Sequence, residues 1–161
     1  MADPLFDISD VDLTQSMLSP RDLDEYLLQS GDMRQLDRVV CMNEARSTTV
    51  GIKDIRDDEF WVPGHIPGRP LLPGVIMIEA AAQLSCVLYQ FRLVHDGRDN
   101  EGFLGFTRID NCTFRGQCVP GDQLVMLVNE VKFQRRRFKC NAQGWVGDSM
   151  IFEVTCTGMR I

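Results

Sequence analysis

Polar and apolar residues alternate along the C-terminal part of the chain. Met150, Phe152, Val154 and Cys156 fall on one side of an extended segment, and Ser149, Glu153, Thr155 and Thr157 on the other. Phe138, Cys140 and Ala142 alternate in the same way with Lys139, Asn141 and Gln143. A period of two with one apolar side is the mark of antiparallel sheet buried on one face. Strands are predicted over 102–109, 111–119, 123–134, 136–147 and 149–159, with turns at Pro120-Gly121 and Gly147-Asp148. Upstream, Leu36 to Ile55 reads as two strands around an Asn43-Glu44-Ala45-Arg46 turn, the second carrying Thr48, Val50 and Ile52 on one face.

Between these groups the pattern changes twice. Trp61 to Gly74 holds four prolines and three glycines in fourteen residues, which no helix or central strand survives. Val75 to Leu93 is then helical in composition and apolar nearly all the way round, so this helix is expected to be buried on most sides. A shorter helix is predicted over about 20–29, with Ser19-Pro20 at its start, acidic residues in its first turn and a stop near Gly31. Residues 1–18, with Asp3, Asp7, Asp10 and Asp12, read as a flexible N-terminal arm, and 19–161 as a single domain. One buried helix with five or more antiparallel strands predicts an α+β layer fold in which the sheet wraps around the helix.

Composition narrows the function classes. The chain has 161 residues, 44% of them hydrophobic, enough for one domain with its own core. Its net charge of −6 argues against general nucleic-acid binding. The six cysteines form no C-x-x-C pair and match no zinc spacing, and they read as reduced, mostly buried small hydrophobes in a cytoplasmic protein. Two histidines are too few for a histidine-rich metal site. Met1-Ala-Asp-Pro lacks the basic and apolar regions of a signal peptide, and no run of 18 uninterrupted apolar residues suggests a membrane span.

Three residues carry candidate chemistry. Glu79 sits early in the most apolar helix, among Met77, Ile78, Ala80 and Ala81, where an unpaired carboxylate is costly to ionise. Gln83 lies one turn on and can orient it. A Glu79 turned to solvent is the alternative reading of the same pattern. His65 lies in a loop stiffened by proline and glycine, the kind of place where a scaffold presents catalytic groups, although an isolated loop histidine is more often an ordinary surface residue. Gly74 opens the helix, where free backbone N–H groups and the helix dipole can polarise a carbonyl. An acid, a base and an oxyanion donor together suit proton abstraction beside a carbonyl followed by loss of a leaving group.

The segment Gly64-His-Ile-Pro-Gly-Arg-Pro-Leu-Leu-Pro-Gly-Val-Ile-Met-Ile-Glu79-Ala-Ala-Ala-Gln83 closely resembles the signature of the FabZ-type 3-hydroxyacyl-[acyl-carrier-protein] dehydratases. Leu36-Asp37-Arg38-Val39, Phe106-Thr-Arg-Ile-Asp110, Phe114-Arg115 and Val119-Pro-Gly-Asp-Gln123 extend the resemblance over roughly 20–161. It implies a hot-dog fold acting as a homodimer, often a trimer of dimers, with no metal or organic cofactor. It also implies dehydration of 3-hydroxyacyl groups on acyl carrier protein to trans-2-enoyl thioesters, in fatty-acid or lipid biosynthesis. His65 would take the α-proton, Glu79 of the partner subunit would protonate the leaving hydroxyl, and the Gly74 N–H would hold the thioester carbonyl. Ile66, Pro67, Leu72, Pro73 and Val75 would line the acyl tunnel.

The chain also departs from that pattern. Ile66 stands where the family usually has phenylalanine, and Leu28-Gln-Ser-Gly-Asp-Met-Arg-Gln35 replaces a Pro-His-Arg-x-Pro-Phe-Leu stretch. The hairpin at Gln134–Arg137 looks shorter than usual. Lys132, Arg135, Arg136, Arg137 and Lys139 form the most basic spot, suited either to docking an acidic carrier protein or to protecting an edge strand. Two other readings fit a hot-dog fold: an acyl thioesterase, and a non-catalytic acyl-thioester-binding protein, the latter motivated by the altered segment 28–35.

Overall fold

The alternating segments pair as one antiparallel sheet, and the apolar helix lies across its inner face. The computed structural model describes residues 3–161. Its strands are β1 (Arg38–Met42), β2 (Thr48–Asp54), β3 (Leu104–Phe114), β4 (Gln123–Gln134), β5 (Arg137–Val146) and β6 (Ser149–Arg160), and its long helix is α1 (Gly74–His95). The sheet order is β1-β2-β4-β5-β6-β3, with β4, β5 and β6 joined by consecutive hairpins and β3 returning to the far edge. This is the expected hot-dog arrangement.

Alternation decides which residues meet the helix. Leu124, Met126 and Val128 of β4, Cys140 and Ala142 of β5, and Phe152, Val154 and Cys156 of β6 form one cluster with Ala80, Ala81, Leu84, Val87 and Leu88 of α1. Gly51 lets β2 join them, since a Cβ there would lie 2.8 Å from the Leu84 side chain. By length and composition α1 is long and apolar enough to cross a bilayer, but 61% of its most apolar window is buried inside the fold. Its apolarity answers to the sheet that surrounds it.

The alternate residues form a second cluster on the outer face: Val40, Val50, Ile52, Val125 and Leu127. The segment expected as a flexible arm lies against it, with Leu5, Phe6, Ile8, Val11 and Leu13 packed on these side chains. Gln143 fastens it at both ends of its amide, accepting from the Leu5 N–H at 3.0 Å and donating to the Asp3 carbonyl at 3.2 Å. Residues 1–2 lie outside the described part of the chain.

Two other expectations are corrected. The helix expected over 20–29 is a single 3₁₀ turn, Asp22–Glu25. It also starts two residues later than read, with Arg21 rather than Ser19 in the N-cap position, and the Ser19 N–H and hydroxyl both donate to Asp22. One turn suffices to bury Leu23 and Leu27, and the chain then passes along α1 through a second 3₁₀ turn, Gly31–Met33, toward β1. The separate strands expected at 102–109 and 111–119 are one strand, β3. Asn111 there adopts φ 49° and the register slips between Asp110 and Thr113, so an irregularity had passed for a strand boundary.

The loop after β2 is anchored by a buried ion pair. Lys53 Nζ donates to Glu59 at 2.8 Å, with the two side chains 3% and 5% exposed. The Arg56 N–H and Trp61 Nε1 also donate to the Glu59 carboxylate. Burial pushes this carboxyl up, but Lys53 and the two N–H donors outweigh it and hold it below its ordinary value of 4.5. Lys53→Met would leave the buried carboxylate without its counter-charge, and urea unfolding should show a loss of about 3–5 kcal/mol. Adding Glu59→Leu should reduce that loss. Because the folded carboxyl titrates below its unfolded value, the pair's contribution should be complete above about pH 4.5 and lost as pH falls through the folded value.

Candidate active site

Glu79 projects from the second turn of α1 into a cavity of about 40 Å³ under the β6–β3 side of the sheet. Gln29, Ala82, Cys86, Leu104, Phe106 and Phe138 line it with Glu79 and Gln83. The carboxyl group is held from one side. Gln83 Nε2 donates to Glu79 Oε1 at 2.8 Å and to the Met33 carbonyl at 2.7 Å, while Gln83 Oε1 accepts from the Gln35 N–H at 2.8 Å. Gln83 is 1% exposed, and these three bonds fix which way its amide faces. Glu79 Oε2 has no hydrogen-bond partner among the described residues.

Cys86, one helical turn beyond Gln83 in the same wall, is chemically quiet. Burial pushes its thiol up to about 12, with a smaller contribution from the charge of Glu79. It acts as a neutral, polarizable wall beside the carboxyl group.

His65 is presented differently. The Pro-Gly loop turns tightly, with the His65 N–H bonded to the Trp61 carbonyl at 2.9 Å. On the exposed imidazole, Nδ1 lies 2.9 Å from the Leu71 carbonyl oxygen. A carbonyl can only accept, so Nδ1 carries the hydrogen. In the neutral ring Nε2 then holds the lone pair, which is the tautomer a base needs.

Gly74 begins α1, after Pro73 in extended conformation. A Cβ at this position would lie 2.7 Å from the end of the half-exposed Phe114 ring, so any other residue would make that ring shift from its place over the helix start. The first N–H groups of α1 have no intrahelical acceptor and point out of this end.

Glu79 and Gln83 therefore come together as the sequence suggested. His65 is absent from the lining of the Glu79 cavity within one protomer. The five expected tunnel residues also lie elsewhere. Leu72 belongs to the core and donates its N–H to the Cys118 carbonyl, Pro73 is buried, and Ile66, Pro67 and Val75 are exposed. Sequence reasoning missed the cavity wall of Cys86, Leu104, Phe106 and Phe138. Cys86 was within reach, since it falls seven residues after Glu79 on the same helical stripe. The peptide groups of Met33 and Gln35 carried no signal, because main-chain donors and acceptors are the same at nearly every position.

The family described as FabA-like domain matches residues 27–155. The 3-hydroxyacyl-[acyl-carrier-protein] dehydratase FabZ of Desulforamulus reducens is 37% identical over 118 residues, covering 73% of this chain and 80% of that protein. The FabZ of Koribacter versatilis is 30% identical over 141 residues, 88% of each. Among solved structures, the dehydratase heterocomplex ApeI:P from Xenorhabdus doucetiae superposes with a TM-score of 0.74 at 14% identity, over 86% of this chain and 90% of that one. Cj0977, a sigma28-regulated virulence protein of Campylobacter jejuni, gives 0.66 at 12% identity over 94% and 96%. These two likenesses bear on the fold alone. The match over residues 27–155 and the relatives that span most of both chains show that this chain belongs to the FabA-like family, alongside the FabZ dehydratases.

Proposed function

We propose that this chain dehydrates 3-hydroxyacyl thioesters carried on acyl carrier protein to trans-2-enoyl thioesters, as part of fatty-acid or lipid synthesis. The observation that carries this reading is the complementary preparation of two groups. His65 is held with Nε2 free, and Glu79 is held by Gln83 with Oε2 free. His65 Nε2 takes the α-proton. The negative charge that builds on the thioester oxygen is stabilised by the Gly74 N–H and the positive end of α1. Glu79 Oε2 gives its proton to the departing 3-hydroxyl, which leaves as water. A proton returned from His65 to Glu79 through solvent restores the starting state.

The two groups belong to one site across a homodimer. β3 is an 11-residue edge strand with Phe106, Ile109 and Phe114 each more than 40% exposed. A long, apolar, unpaired edge invites pairing with another strand. A second copy joined through β3 would cover this edge and bring its own loop toward the Glu79 cavity. On the β4–β5 hairpin, Lys132, Arg135, Arg136, Arg137 and Lys139 take part in no ion pair among the described residues. They are available to steer an acidic carrier protein. The six free cysteines fit a reducing, cytoplasmic setting.

Hydration of crotonyl thioester, the reverse reaction, is followed by loss of enoyl absorbance. His65→Ala and Glu79→Gln should each lower kcat by about 10²–10⁴-fold. A folded wild type that turns over no chain length would overturn the assignment, and release of free thiol would point to a thioesterase instead. Gln83→Leu should lower kcat by about 10²-fold through misplacement of Glu79, with KM little changed. A purely structural role would lower the amount of folded protein without that split. Ile109→Asp should convert the dimer to a monomer in light scattering and remove activity with it. An active monomer would refute the shared site.

A further inference from the structure

We infer that an open pocket lined by three arginines, Arg98, Arg135 and Arg160, is a phosphate site separate from the Glu79 cavity. It has a volume of about 300 Å³ and lies past the C-terminal end of α1, with Leu93 and Asp99 completing its wall. A single water needs only roughly 10–15 Å³ of such space, so a polyatomic anion has room. Three segments build the pocket: the turn after α1, the tip of the β4–β5 hairpin and the end of β6. Hydrogen bonds tie them together. The Tyr89 hydroxyl of α1 lies 3.0 Å from the Gln134 carbonyl oxygen and 2.9 Å from that of Arg135. The Arg160 N–H donates to the Arg136 carbonyl at 2.8 Å, and Arg160 Nη1 donates to the Asp99 carbonyl at 2.7 Å. The frame is thus in place before a ligand enters.

The positive charge of this pocket is not matched within the chain. Arg98 and Arg135 are exposed and take part in no ion pair among the described residues. Arg98 borders the Phe133 ring at 5.6 Å, a contact that holds a cation without neutralising it. Arg160 faces Asp99 alone, with Nη2 3.7 Å from Oδ2, too long for a hydrogen bond. Three arginines against one aspartate leave two positive charges in excess. The other acids nearby are turned elsewhere: Asp96 and Glu130 face Arg92, and Glu101 borders the neighbouring cavity. Nor do carbonyls at the end of α1 occupy the arginines. The N–H groups of Asp96, Gly97 and Arg98 already bond to the carbonyls of Arg92, Val94 and Leu93. One guanidinium fork satisfies both oxygens of a carboxylate. Three forks on three segments exceed that and suit the larger set of oxygens on a phosphate ester. The pocket also adjoins the candidate active site. Arg160 is two residues from Gly158 and Arg135 three from Phe138, and both of these line the Glu79 cavity. Carrier-protein and coenzyme A thioesters both bear a phosphate ester at the end of the arm opposite the sulfur. The phosphate comes from that arm, a source that rests on the acyl-thioester reading above, or from a free phosphate compound.

Calorimetric titration of the whole chain with inorganic phosphate tests the site without turnover. Binding should be saturable, and Arg98→Gln and Arg135→Gln should each weaken it by about tenfold or more, as expected for a hydrogen bond to a charged group. Arg98→Lys keeps the charge without the fork and should lie between. Absence of saturable binding overturns the inference, as does binding unchanged in both glutamine variants. Hydration of crotonyl thioesters then separates the two sources. If the arm supplies the phosphate, Arg98→Gln should lower kcat/KM about tenfold on carrier-protein and coenzyme A substrates, with the phosphate-free N-acetylcysteamine thioester unaffected. If a free compound supplies it, all three substrates respond alike, and added phosphate changes the wild-type rate but not that of Arg98→Gln. A chain that hydrates none of them fails as a dehydratase, and the phosphate titration still decides the site.

Discussion

One sheet has to cover one helix on most of its sides, and the rest of the molecule follows from that requirement. The helix must be apolar around its circumference, so any polar residue it carries inside must bring its own partners. α1 carries two such residues near its start, Glu79 and Gln83, and the fold supplies partners to the amide from a neighbouring segment of main chain. The carboxyl group is then held by the amide. A buried helix thus becomes a place where one acid can be aimed, because nothing else in its surroundings competes for the hydrogen bond.

The same requirement explains the two-faced sheet. Residues that alternate inward meet α1, and those that alternate outward leave a second apolar surface at β1, β2 and β4. The segment before Leu18 covers that surface with Leu5, Phe6, Ile8, Val11 and Leu13. The β3 edge has no such cover within the protomer, and the candidate acid lies beneath it. The incomplete edge and the incomplete site therefore occur at the same place in the fold.

What could be read from the sequence was whatever had a period. The alternation in β4, β5 and β6 and the unbroken apolar run of α1 identified the sheet and the helix, and the Pro-Gly loop stood out by composition. The N-terminal segment was read as an arm because its aspartates are conspicuous, while its apolar residues are spaced irregularly and meet their partners only in three dimensions. The short helix was overextended because a good start signal says nothing about where the tertiary structure needs the chain to leave. Glu79, Gln83 and His65 stood out as candidates by their settings and by the resemblance of the segment that holds them. The tautomer of His65, the Gln83 amide orientation and the wall beyond Glu79 were not, since each depends on residues distant in sequence.

The clamp on Gln83 is made by peptide groups, the Met33 carbonyl and the Gln35 N–H. Mutational drift can therefore rewrite the side chains at positions 33 and 35 while leaving the clamp in place. Proline at 35 is the exception, because it has no N–H to give. A segment that diverges strongly between relatives can still perform an invariant task when that task belongs to the backbone. Substitution matrices, which score side chains, are blind to function kept in this form.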